Sequence, residues 1–197
     1  MIDFDSELSE MVADKNLMNS YKLYFLKVLI INASKEKKKF GFYEMACWMC
    51  AYSFTDVCIL GRRIRSFDKL YDAAVLAIEK GDLMLSSKIS EVYDAVSETR
   101  DKELRKLISS LCNYVPYRLL AYQWPQELRG KTDRQKNQII EELSRSENRC
   151  LYSVYSLSEE EKSIEVNPEW ASYIAGNRRR LILWINQKID IFVKKGQ

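Results

Sequence analysis

Residues 40–60, FGFYEMACWMCAYSFTDVCIL, decide the fold. Tyr43, Met45, Ala46, Trp48, Met49, Ala51, Tyr52 and Phe54 leave a helical wheel almost no polar side. A helix with no wet side has to be covered by other helices. Glu44 and Asp56 bound the apolar run well below the ~18 residues that a membrane span requires. The stretch therefore reads as the central helix of a soluble bundle, and no membrane partner is expected.

Composition narrows the rest. A chain of 197 residues suits a single helical domain over 1–197, and 47% hydrophobic residues can fill its core. Only 6 Gly and 3 Pro are present, too few for a sandwich or a loop-rich fold, so the chain should be mainly helix. Lys and Arg exceed Asp and Glu by a net charge of +3, which argues against a histone-like polybasic protein but leaves room for a local basic patch. The acidic start, MIDFDSELSE, is no signal peptide. Five cysteines, an odd number in apolar surroundings, read as reduced thiols of a cytoplasmic protein. Histidine is absent, which excludes Ser–His and Cys–His nucleophile pairs, HExxH zinc sites and His-based nucleases. The expectation is a chain that is not an enzyme and carries no cofactor and no metal.

Outward from the central helix, residues 1–16 read as a short polar helix prone to fray. Asn19 or Ser20 caps a second helix with an amphipathic stripe of Tyr21, Tyr24, Phe25, Val28 and Leu29. It ends near Ser34 in a solvated connector, Lys35-Glu36-Lys37-Lys38-Lys39. After Gly61, Ser66 reads as the N-cap of a helix with Phe67, Leu70, Tyr71, Ala74 and Ile78 on its buried stripe, stopped by Gly81. Two shorter helices follow, one on Ile89, Val92, Tyr93 and Val96, the next on Leu104, Leu107, Ile108 and Leu111, which Pro116 breaks. Residues 117–124 are apolar. Thr132 and Gln135 have capping-box spacing and predict a surface helix over 133–149. Residues 150–166 predict a small β-hairpin. Asn167 and Pro168 then open the last long helix. The fold class is a mainly α, multi-helix bundle with a small β-hairpin before that helix.

Few motifs carry chemistry. Cys47 and Cys50 form a C-x-x-C, but mid-helix between Trp48 and Met49 it is better read as core packing than as a zinc or redox site. Glu160 and Lys162 form an E-x-K of the kind found in Mg²⁺-dependent nucleases, placed here in a charged turn. Two clusters remain, Arg62-Arg63-Arg65 and Arg178-Arg179-Arg180, either phosphate contacts for a nucleic-acid backbone or ordinary surface charge. Tyr117, Arg118 and Trp124 are candidates for stacking on unpaired bases.

The order of segments resembles the N-terminal helical region of bacterial HNH-endonuclease-like proteins. NSYKLYFL at 19–26 resembles its opening. FYEMA at 42–46 followed by MCAY at 49–52 resembles its aromatic helix. SFDKL at 66–70, VPYRLL at 115–120, and IEV at 164–166 with Trp170, Tyr173 and Asn177 complete the series. In that family an HNH nuclease module follows. Here no histidine is available, so no catalytic residue carries over. The resemblance implies a non-catalytic nucleic-acid-binding or targeting module in a DNA-restriction or phage-defence setting, standing alone or separated from its nuclease. DNA, through the phosphate contacts, would be one partner. The alternative is a protein-interaction or oligomerisation module that docks a separate nuclease or effector chain. It would show exposed apolar surface on residues 117–124 and on the far side of the last helix.

Overall fold

The computed structural model describes residues 2–34, 36–147, 149–158 and 161–195. The chain is mainly α, with a small antiparallel sheet before the final long helix. Its helices are α1 (Phe4–Met11), α2 (Tyr21–Asn32), α3 (Phe42–Leu60), α4 (Leu70–Gly81), α5 (Ile89–Ser97), α6 (Lys102–Ser110), α7 (Val115–Leu120), α8 (Asp133–Ser146) and α9 (Pro168–Lys194). The strands are β1 (Lys39–Gly41), β2 (Tyr152–Ser156) and β3 (Lys162–Val166).

From Phe42 onward the quoted stretch is α3, enclosed by α2, α4, α5 and α6, while Phe40 and Gly41 belong to β1. Met45, Ala46, Cys47, Met49, Cys50, Phe54 and Val57 are buried. Its half-buried side is aromatic rather than polar. Trp48 stacks on Tyr93 at 3.9 Å and on Tyr52 at 5.4 Å. The Tyr43 hydroxyl donates to the Val96 carbonyl, and Tyr52 donates to Asn32 Oδ1. Burying tyrosine bodies while the hydroxyls find partners reconciles an all-apolar wheel with a position at the edge of the core. Gly61 closes the helix at φ +67, a left-handed conformation that only glycine adopts without steric penalty.

A second helix is as enclosed as α3. In α2, Leu23, Tyr24, Phe25, Leu26, Val28, Leu29 and Ile30 are all buried, where the amphipathic reading leaves one side wet. The covering partner is α9, which lies along α2 opposite α3 and α7.

The hairpin β2–β3 is joined by β1 in the order β1-β3-β2, with Phe40 opposite Ile164 and Val154 opposite Ile164. Tyr152, Val154, Ile164, Val166 and Phe40 face the core while Ser163 and Glu165 face away, the alternation of a half-buried sheet. So the lysine-rich connector ends in a strand. The free edge of β2 is covered by α8, where buried Ser144 accepts the Val154 N–H and its carbonyl accepts the Ser153 hydroxyl.

Several boundaries differ from the sequence expectation. Ser66 is not the N-cap of α4, which starts at Leu70, and Phe67 is exposed rather than on the buried stripe. The cause is Asp68: buried, its carboxylate accepts the Ser20 N–H, the Ser20 hydroxyl and the Leu70 N–H, tying α2 to α4. Gly81 is the last residue of α4, and Asp82 takes the left-handed position at φ +52. A Cβ at Gly81 would stand 3.3 Å from the Ala95 Cβ, so this glycine serves the approach of α5. Pro116 lies in the first turn of α7 and opens that helix instead of breaking the one before. The helix α1 packs on the core through its apolar residues. Leu8, Met11 and Val12 are buried, and Phe4 packs edge-on to Trp170 and stacks on Tyr173. The Thr132–Gln135 capping box and the Asn167 cap followed by Pro168 are as read.

Candidate functional site

The two arginine clusters lie at different levels of α9. The first follows the C-terminus of α3 and reaches the end of α9, because the Arg65 guanidinium sits 4.7 Å from the Phe192 ring centre. Arg63 is held by Asp72 at 2.8 Å and by the Ser66 carbonyl. Arg62 is exposed and, with Val193, lines a shallow hollow. The second cluster sits in the middle of α9. Its Arg180 bonds Asp5 at 3.0 Å and the Tyr173 hydroxyl at 2.7 Å. Arg178 is half-buried and donates to the Ala33 carbonyl at the end of α2, where the helix dipole favours a cation. Arg179 is exposed and makes no ion pair among the described residues.

From Arg179 to Phe192 the helix rises roughly 20 Å. That is about two Debye lengths at 0.1 M salt, so the clusters do not add to one field. Within each, most guanidiniums hold the fold together. The second cluster gains a neighbour, however. The Arg178–Ala33 bond places this turn of α9 beside the chain leaving α2, which carries Lys37, Lys38 and Lys39. That segment is folded back on itself, with the Ser34 N–H donating to the Lys37 carbonyl at 2.9 Å. Lys37 is paired with Glu44. Lys38 and Lys39 make no ion pair among the described residues.

The proposed stacking residues are not available. Tyr117 is 3% exposed and Trp124 4%. The Trp124 indole N–H donates to Glu147 at 2.9 Å. Of segment 117–124, Tyr117, Leu119, Leu120 and Trp124 are buried, while Arg118 and residues 121–123 are half-buried. On the far side of α9, Leu183 and Ile191 are exposed. Arg118 alone of the stacking group reaches solvent, paired with Asp133 at 2.5 Å.

Cys47 and Cys50 are buried and unpaired. Burial pushes the Cys47 thiol up to about 12 and the Cys50 thiol further, which leaves both inert as nucleophiles. Among the described residues no group of His, Cys, Asp and Glu is placed to hold a metal ion. Glu160 lies outside the described residues. Lys162 opens β3 and lines a polar groove with Glu141 and Glu142 of α8.

An apolar-walled hollow with a volume of about 570 Å³ lies at the start of α2. Lys22 and Arg118 both line it, with Met18, Leu111, Val115 and Tyr114. Burial, and then the neighbouring Arg118 charge, lowers the Lys22 ammonium to about 8. Lys22 has no hydrogen bond or ion pair with a described residue. Segments 19–26, 66–70 and 115–120 meet at this end of the molecule, since Ser20 bonds Asp68 and Lys22 shares the hollow with Arg118. The sequence reading missed Lys22 because its only signal, a lysine in the first turn of an apolar helix, is weak. No protein-family model, curated protein or solved structure matches the chain.

Proposed function

We propose that the chain is a non-catalytic nucleic-acid-binding or targeting module that grips the phosphate backbone with the basic face formed where the end of α2 meets the middle of α9. What supports the reading is the Arg178–Ala33 bond, which sets the middle of α9 against the end of α2, from which the chain runs on to Lys38 and Lys39. Arg179, Lys38 and Lys39 make no ion pair among the described residues, and such cations supply the counterion-release affinity that a phosphate backbone offers. Arg62, exposed at the other cluster, is a secondary contact. Arg63, Arg65 and Arg180 serve mainly to hold their elements.

The test is fluorescence anisotropy of a labelled 5′-hydroxyl DNA duplex and a single strand, from low to physiological salt. The expected result is binding that falls steeply with salt. The Lys38→Ala/Arg179→Ala double variant should weaken it alike for all sequences and reduce the salt slope by about 2. Absence of binding at low salt, or a variant indistinguishable from the parent, would overturn the reading. The exposed Leu183 and Ile191 on α9 favour a second reading, a docking face for a separate effector chain. Under it, the uncharged substitutions Leu183→Ser and Ile191→Ser abolish co-purification with that chain and leave DNA binding unchanged.

A further inference from the structure

Three features of Lys22 are unfavourable in the protein alone. Its side chain is half-buried and has no anionic partner among the described residues. The hollow that it lines also carries Arg118, whose charge disfavours the ammonium further, together with Lys15 and with Asp133, which is paired with Arg118. It also stands in the first turn of α2, the positive end of the helix dipole, where anions are favoured and cations are not. Asp68 is bonded to Ser20, outside the hollow, and Asp133 lines the hollow and is paired with Arg118. Neither meets Lys22. An anion bound between the two cations would relieve all three terms.

The hollow is much larger than a phosphate ion and lies in the range of small-ligand sites. Met18, Leu111 and Val115 make its wall apolar. Tyr114 stands at its rim, 52% exposed, with its hydroxyl unbonded among the described residues. The other tyrosines of the hollow are committed: Tyr21 accepts the Lys69 N–H and Tyr122 donates to Glu7. Two cations and a largely exposed aromatic ring on one lining match a phosphate joined to a planar ring.

We propose that the Lys22–Arg118 hollow binds a nucleoside 5′-monophosphate, free or as the 5′-terminal nucleotide of a strand, with its phosphate between Lys22 and Arg118 and its base against Tyr114. The site is separate from the basic face, at the opposite end of α2 about 18 Å away, and does not depend on it.

Isothermal titration of the full chain with the four nucleoside 5′-monophosphates, adenosine and inorganic phosphate tests the site, alongside 5′-phosphorylated and 5′-hydroxyl 8-nucleotide DNA. Binding by at least one monophosphate or by the 5′-phosphorylated strand is expected, with about tenfold or greater loss when the phosphate is missing. Lys22→Met should cost a similar factor, and Tyr114→Ala should weaken nucleotides but not inorganic phosphate. Tighter binding of the phosphorylated strand than of free nucleotide assigns the strand end; the reverse assigns a free nucleotide. No heat and no thermal shift with any phosphate-bearing probe, or affinity unchanged in Lys22→Met, would overturn the proposal. Because Lys22→Met leaves the basic face intact, 5′-hydroxyl duplex binding should persist in it, and either proposal can fail alone.

Discussion

Lys22 shows how a single residue is defined by what surrounds it. Its ammonium is lowered to about 8 from an ordinary 10.5. Between those values the unfolded chain binds more protons than the folded one, so Lys22 makes stability rise with pH across that window. Lys22→Met should raise stability at pH 7 by a quantity of order 1–3 kcal/mol and flatten the rise between pH 8 and 9.5. Urea midpoints of parent and variant at pH 7, 8 and 9.5 measure both effects. Identical pH profiles would show that the side chain is not desolvated. Other residues were legible directly. Gly61, Thr132 with Gln135, and Asn167 with Pro168 end or begin their helices as read. A cap depends on backbone groups three or four residues away, so its reason lies inside the local sequence. Lys22 owes its state first to burial in the hollow and then to Arg118, far along the chain, and no local pattern could reveal that.

Among elements, the misread ones are those whose partners come from elsewhere. β1 is three residues long and carries Lys39, so it resembles a connector until β3 offers its edge to Phe40. α1 is short and polar enough to fray alone, yet it is docked. Phe4 inserts between Trp170 and Tyr173, and Asp5 bonds Tyr173 and Arg180. Phe4→Ala should therefore release α1 at a cost of about 2 kcal/mol. Hydrogen exchange should show α1 amides accelerated and α3 amides unchanged. Protection of α1 equal in parent and variant would mean that its polar bonds, not the aromatic cluster, hold it. The last helix explains the arginine clusters in the same way. Three consecutive arginines fan around a helix, so Arg178 meets the end of α2, Arg180 meets α1, and Arg179 is left facing outward.

For the molecule as a whole, the core is built on two enclosed helices, α2 and α3, with the remaining helices and the sheet arranged around them. Four of the five thiols lie inside it, and Cys58 alone is partly exposed. In native buffer a thiol reagent should label Cys58 rapidly, and label Cys47, Cys50, Cys112 and Cys150 only at the rate of global opening. Fast modification of Cys47 or Cys50 would mean that α3 is not enclosed. Among the described residues no helix is long and apolar enough to cross a membrane. By itself the sequence determined the mainly α class, the central helix, the hairpin and the position of the last helix, because apolar periodicity and turn residues act within a few positions. Only the tertiary structure decided which arginines are committed, that Tyr117 and Trp124 are core, and that Lys22 faces Arg118 in one hollow. Those outcomes depend on which distant residues become neighbours, and burial, pairing and desolvation are properties of neighbours in space.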